Sequence, residues 1–80
     1  MTSPLDWNAG GYADQKIAGE LRQRIRSGRY PPHTLLPRGE IEREFGVSHY
    51  TVSKAFAQLR GERLIYLRNG VGGGNFVSDL

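Results

Sequence analysis

The groups able to do chemistry in this chain are few and poorly spaced for catalysis. His33 and His49 fall on different elements, and neither has a third partner that would complete a relay. Ser48 and His49 are neighbours, and side chains of neighbours at a helix start diverge, so they form no nucleophile–base pair. The run Asn69-Gly70-Val71-Gly72-Gly73-Gly74-Asn75 lacks the Lys-Ser/Thr and the following helix of a phosphate-cradling loop. The chain has no cysteine and no metal-ligand spacing. The sequence therefore predicts no catalytic residue, no metal site, no cofactor and no small-molecule site. What remains is a chemistry of contact. Hydroxyls, an imidazole, a phenol and an ammonium are gathered in Ser48-His49-Tyr50-Thr51-Val52-Ser53-Lys54. Donors and cations of this kind suit a polyanion.

An element must hold that cluster from behind. Phe45 closes one short amphipathic segment, and Gly46, having no Cβ, tolerates the left-handed backbone that ends a helix. Ser48 can cap the next helix by accepting from an N–H of its first turn. Val52, Phe56 and Leu59 then recur on one helical face, while Tyr50, Ser53, Lys54 and Ala57 point elsewhere. This is the elbow of a helix-turn-helix, whose second helix can lie in a DNA major groove.

The remaining chain supplies the support. Residues 1–11 read as a flexible arm, with one or both of Trp7 and Tyr12 expected to pack on the domain's edge and a partner contact as the other reading. Residues 12–80 read as one domain. Asp14 is placed to cap a helix from Gln15 to Ser27 with Ile17, Leu21 and Ile25 inward, and Gly28 suits the position just beyond it. Lys16–Glu20 and Glu20–Arg24 are spaced as helical ion pairs. Pro31 and Pro32 turn the chain, and Leu35-Leu36 suggests a short extended piece. A second helix is expected from Gly39 to Phe45, buried through Ile41 and Phe45. The third runs to Glu62. Leu64 to Arg68 has strand composition, with Ile65 and Leu67 on one face. The glycine run is expected to be a mobile loop too flexible to pack, with Phe76-Val77 as the returning strand.

Charge adds direction. Eighty residues carry a net charge of +3, and the pI is 9.7. The distribution matters more than the total. Five arginines and no acid lie between Arg22 and Arg38, and Lys54, Arg60, Arg63 and Arg68 face only Glu62 between Ser48 and Val77. Two basic stretches favour a nucleic-acid partner. Within the first, Arg22, Arg24, Arg26 and Arg29 read as a solvated face. No apolar stretch approaches the length of a membrane span, the start has no signal-peptide pattern, and the absence of cysteine fits the cytoplasm.

On these residues the sequence resembles the winged-helix DNA-binding domain of the GntR family of bacterial transcription regulators. The resemblance is carried by Ile17-Ala18, Leu21-Arg22, Ile25, Ser27-Gly28, Pro31-Pro32, Leu36-Pro37, Glu40-Ile41, Phe45-Gly46-Val47-Ser48, Thr51-Val52, Lys54-Ala55, Leu59, Leu64-Ile65 and Phe76-Val77. It implies an α+β winged helix-turn-helix: three helices, a small antiparallel sheet and a glycine-rich wing. It also implies that the third helix enters the major groove while the wing reaches the minor groove or backbone. The departures fall on reading positions. Arg38-Gly39-Glu40 stands where members usually have Ser-Glu-Arg. His49 and Ser53 replace arginines, and Tyr50 replaces a threonine. Arg63 replaces the glycine before Leu-Ile, so that helix end is expected to be remodelled. The larger sensor domain of typical members is expected to be absent.

The resemblance and the residues together nominate a DNA-contacting set. Arg38 is the strongest candidate, phosphate before base. Ser48 and Thr51 suit a phosphate at the helix start, with support of the cap as the other reading of Thr51. Tyr50 suits phosphate or a thymine methyl, Ser53 almost any base edge, and Lys54 phosphate. His49 leans toward the core side, next to the DNA face. In the wing, Arg68, Asn69, Gly70 and Gly72 suit a close approach to phosphate or a narrow minor groove. The expected activity is sequence-specific binding of double-stranded DNA by a small regulator acting as a repressor, with a homodimer on paired half-sites. The alternatives are a winged helix turned to protein contact, motivated by the missing arginines and the acidic second helix, and a DNA-architectural or plasmid-segregation role.

Overall fold

A computed structural model describes residues 12–79. The arm assigned to residues 1–11, with Trp7, lies outside the described residues. The element order is α1 (Ala13–Arg26), α2 (Arg38–Phe45), α3 (His49–Gly61), β1 (Ile65–Arg68) and β2 (Gly74–Val77). The two strands pair antiparallel, with Ile65 opposite Val77 and Arg68 opposite Gly74. Three helices against a small antiparallel sheet is the winged helix that the sequence predicts.

The core is the meeting of two helical stripes. Ile17, Ala18 and Leu21 of α1 are fully buried, and so are Val52, Ala55 and Leu59 of α3, with Phe56 beside them. The alanines let the two helices approach closely. Ile41 of α2, Leu36, Val47, Leu64, Ile65 and Val77 close the cluster, with Phe45 and Ile25 packed partly buried against it. Burying each large side chain is worth roughly 1.5–3 kcal/mol.

The helix starts and stops explain the turns. Gly46 ends α2 with φ at 64°, the left-handed conformation expected of it. Ser48 caps α3, its Oγ accepting from Thr51 N–H at 3.2 Å. The start of α1 differs from expectation. Asp14 lies inside the helix, which begins after Tyr12 and has no side-chain cap. The carboxylate is instead drawn toward α3, where its Oδ2 accepts from Gln58 Nε2 at 2.8 Å. Tyr12 is 67% exposed.

The end of α3 is not remodelled. Arg63 takes φ 63°, the conformation a glycine would hold there. Arg63 N–H reaches Arg60 O and Leu64 N–H reaches Leu59 O, both at 3.0 Å, which is a Schellman closure made with an arginine. The geometry survives because Leu64 is buried against the core and holds the chain in place.

The sheet also departs from the sequence reading. The extended piece at Leu35-Leu36 is reduced to one bridge, Leu35 opposite Phe76. It runs along β2 through His33 N–H to Val77 O at 2.7 Å and Leu36 N–H to Asn75 O at 2.9 Å. β2 starts at Gly74, ahead of the expected Phe76, so two residues of the glycine run are strand. The rest is a built turn, closed by Gly73 N–H on Gly70 O at 3.0 Å. A Cβ at Gly73 would stand 2.2 Å from Arg68 O, so only glycine fits. Leu67 shares the inward side of β1 with Ile65 yet is 54% exposed, because the ribbon there has run past the core.

Candidate nucleic-acid interface

The cap that starts α3 also makes it suited to an anion. Backbone N–H groups of a first turn carry partial positive charge. α1 and α2 each offset theirs with an acid, Asp14 and Glu40. The first turn of α3 has none. Ser48 Oγ lies 3.1 Å from Thr51 Oγ1, so the threonine hydroxyl supports the cap at the same end where a phosphate would sit.

The outward face of α3 is assembled as expected for three of its residues. Tyr50 is 70% exposed, Lys54 is exposed and Ser53 is half-buried. His49 is a correction. Its side chain is 70% exposed, not turned toward the core, because Glu42 of α2 holds it at the surface with Oε2 at 3.0 Å from Nδ1.

Arg38 is placed between α2 and α3. Its Nη1 donates to Ser53 Oγ at 3.0 Å and to His49 O at 3.3 Å. Its guanidinium carbon lies 5.0 Å from the centre of the Phe56 ring. Arg38 thus ties the start of α2 to α3, at the surface where a DNA contact is expected. Position one of α2 is well suited to this, since the side chain leaves the helix toward its neighbour.

The wing is fixed to α3 by a pair that the sequence reading did not single out. Arg60 Nη1 donates to Asn75 Oδ1 at 2.9 Å, and Asn75 is 7% exposed. The glycine-rich composition hid this, since Asn75 read as the end of a loop. A groove of about 320 Å³ runs between Pro37, Arg38 and Phe56 on one side and Gly73 and Asn75 on the other, so the start of α2, α3 and the root of the wing share one surface. Arg68 lies over Phe76 at 4.8 Å from the ring centre. Asn69, Gly70 and Gly72 are exposed, and Val71 at the tip is wholly so.

Of the four arginines expected to form a solvated face, Arg26 and Arg29 are exposed, whereas Arg22 and Arg24 are tied to carboxylates. Arg24 is buried at 6% exposure. It donates to Glu44 through two bonds, to Tyr30 Oη at 3.1 Å and to Glu20 at 3.2 Å. The bond to Glu44 raises the arginine's pKa, against desolvation, and pulls the carboxyl of Glu44 below its usual range. Arg22 forks onto Glu62 at 2.6 and 2.5 Å, and that bond lowers the Glu62 carboxyl in the same way.

Residues 13–74 match the family described as bacterial regulatory proteins, gntR family. The chain belongs to that family. The histidine utilization repressor of Klebsiella aerogenes is 32% identical over 66 residues, covering 81% of this chain and 27% of the relative. An uncharacterized HTH-type transcriptional regulator of Escherichia coli K12, YieP, is 41% identical over 58 residues, covering 70% and 25%. The chain therefore spans about a quarter of the length of these curated family relatives. Among solved structures, the AraR DNA-binding domain in complex with operator ORR3 superposes with a TM-score of 0.71 at 32% identity, covering 81% of this chain and 77% of that one. A GntR regulator from Rhodococcus sp. RHA1 superposes with a TM-score of 0.78 at 31% identity, covering 84% and 31%. Among the described residues no helix is long and apolar enough to cross a membrane.

Proposed function

We propose that this chain is the DNA-binding unit of a cytoplasmic transcriptional regulator that occupies an operator as a repressor, with residues 12–80 acting as one domain. α3 lies in the major groove, with Tyr50 and Ser53 toward base edges and Ser48, Thr51 and Lys54 at phosphates. Arg38 both positions α3 and contacts the backbone, with His49 beside it. Arg68, Asn69, Gly70 and Gly72 run alongside in the wing. Two copies sit on paired half-sites, because the few base-reading residues of one domain rarely specify a site alone. The observation that carries this reading is the likeness to AraR, whose DNA-binding domain was solved on its operator and covers 81% of this chain.

The test is binding of the chain to duplexes enriched from a randomised pool, followed by fluorescence anisotropy between 50 and 200 mM salt. Affinity is expected to fall steeply with salt, and the enriched duplex to outcompete a scrambled one by at least about a hundredfold. Equal affinity for the scrambled duplex would overturn the operator reading in favour of an architectural role. No binding to any duplex at low salt would overturn DNA binding altogether.

A further inference from the structure

The outward line of α3 begins with an aromatic ring. At about 100° per residue, the side opposite Val52, Ala55, Phe56 and Leu59 carries Tyr50, Lys54, Ala57 and Gly61. Tyr50 sits in the first turn of this line and is 70% exposed. Ala57 and Gly61 carry no polar group with which to bond a base edge and are too small to keep the helix away from one, so the first-turn ring is the largest apolar group on this line.

The ring is steadied from the neighbouring helix. Lys54 Nζ lies 5.5 Å from the centre of the Tyr50 ring, within cation–π range. The same Nζ lies 4.0 Å from Asp14 Oδ2. Asp14 is 8% exposed and is fixed by Gln58 at 2.8 Å. An acid on α1 therefore places a cation on α3, and the cation places the ring.

A phenol cannot fork onto guanine as an arginine does. It offers apolar faces, an apolar edge and one hydroxyl, and the apolar feature of the major groove is the C5 methyl of thymine. We infer that Tyr50 is the specificity-determining residue of this chain, that it reads the thymine methyl group, and that Asp14 is a positioning residue acting through Lys54. This rests on the reading of α3 as the major-groove helix. The half-site accordingly includes an A·T pair, with Ser53, which can bond almost any base edge, adding little discrimination.

The experiment uses the full chain and a duplex enriched from a randomised pool, resynthesised with deoxyuridine for thymidine at one position at a time. Pairing is unchanged and only the methyl group is lost. At one or two positions per half-site the substitution should weaken binding about five- to tenfold. Tyr50→Ala, which removes an exposed ring and leaves the core intact, should bind thymine and uracil duplexes equally, whereas Tyr50→Phe should keep the difference. Asp14→Asn still accepts from Gln58 but no longer holds Lys54. It should lower the thymine-over-uracil ratio while strengthening binding to unrelated duplex; a purely structural Asp14 would weaken every duplex in proportion. An enriched duplex indifferent to uracil at every position overturns the inference and leaves DNA binding standing. An unchanged ratio in Asp14→Asn overturns the positioning role alone. Failure to enrich any duplex overturns both this inference and the function it rests on.

Discussion

On α1 two arginines are forked onto carboxylates, whereas at the start of α2, on α3 and in the wing three cations lie against aromatic rings without such a fork. Arg22 is spent on Glu62 and Arg24 on Glu44. Arg38 lies over Phe56, Lys54 over Tyr50 and Arg68 over Phe76. The two arrangements leave different things for a partner. A carboxylate cancels the charge it binds, so a polyanion approaching α1 meets little net field from Arg22 or Arg24. A ring holds a cation in place through its quadrupole and cancels none of its charge. The positive charge of Arg38, Lys54 and Arg68 is therefore positioned and largely available, apart from the shares taken by Glu42, 3.9 Å from Arg38, and by Asp14, 4.0 Å from Lys54.

The sharpest way to break this comparison is to truncate one arginine of each kind. Arg24→Ala removes the bonds to Glu44, Glu20 and Tyr30 together with the packing of the guanidinium on Phe45, 5.5 Å from the ring centre. Glu44 keeps a side chain that is 47% exposed, so it is not stranded in the interior. The expected cost is about 2–3 kcal/mol of stability, read as a lower urea midpoint. The salt slope of DNA binding should be unchanged. Arg68→Ala should do the reverse. Arg68 is itself exposed but covers Phe76, which is 8% exposed, so stability should fall by no more than about 1 kcal/mol, while affinity for duplex falls by roughly fivefold and the salt slope drops by about one. A reduced salt slope in Arg24→Ala, or none in Arg68→Ala, would sink the distinction between spent and available charge.

A smaller effect follows from acid. Hydrogen bonds from Arg24 and Arg22 hold the carboxyls of Glu44 and Glu62 below their usual range. A carboxyl whose pKa is lower when folded contributes stability that is present above its unfolded value, near 4.5. That stability is lost as pH falls through the folded value. Thermal midpoints should therefore decline as pH drops below about 4.5, and Glu44→Gln should flatten part of the decline. Both side chains are substantially exposed, 47% and 38%, so screening keeps the effect modest and salt should reduce it further. A decline of the same size in Glu44→Gln would mean that the pair contributes nothing to the acid limb.

What was readable in the sequence is local. Gly46, Ser48 and the stripe of Val52, Phe56 and Leu59 all act within a few residues of themselves, and the structure places each as its type and spacing require. The misreadings involve partners far along the chain. Asp14 has the composition of a cap, yet it answers to Gln58, 44 residues away. Arg24 looks like surface charge until Glu44 and Tyr30 are folded around it. The glycine run suggests slack by composition, but backbone approach at Gly73 and the Arg60–Asn75 bond make it a turn of defined shape. The exposed face of α3 was readable from its own stripe, but the wing's attachment to that helix was not, because an arginine four residues after Phe56 signals nothing about an asparagine beyond a glycine loop.

The smallest expected effect concerns the left-handed residue between these two regions. Arg63 closes α3 and launches β1, so it sets how the wing leaves that helix. Its φ of 63° places Cβ against the backbone, which costs roughly 1–2 kcal/mol for a residue other than glycine. Arg63 is exposed, so its side chain gives little back through packing. Replacement by glycine removes the strain but adds freedom to the unfolded chain, worth about 0.4–1 kcal/mol in the other direction. The balance predicts that Arg63→Gly stabilises by about 0.5–1 kcal/mol, raising the thermal midpoint by roughly 3–6 °C. The Schellman bonds through Arg60 O and Leu59 O should persist, and duplex affinity should fall only by the share that one surface cation contributes. A loss of stability would show that the arginine side chain holds this corner together, and the corner would then belong with the spent charges of α1 and not with the open face of the wing.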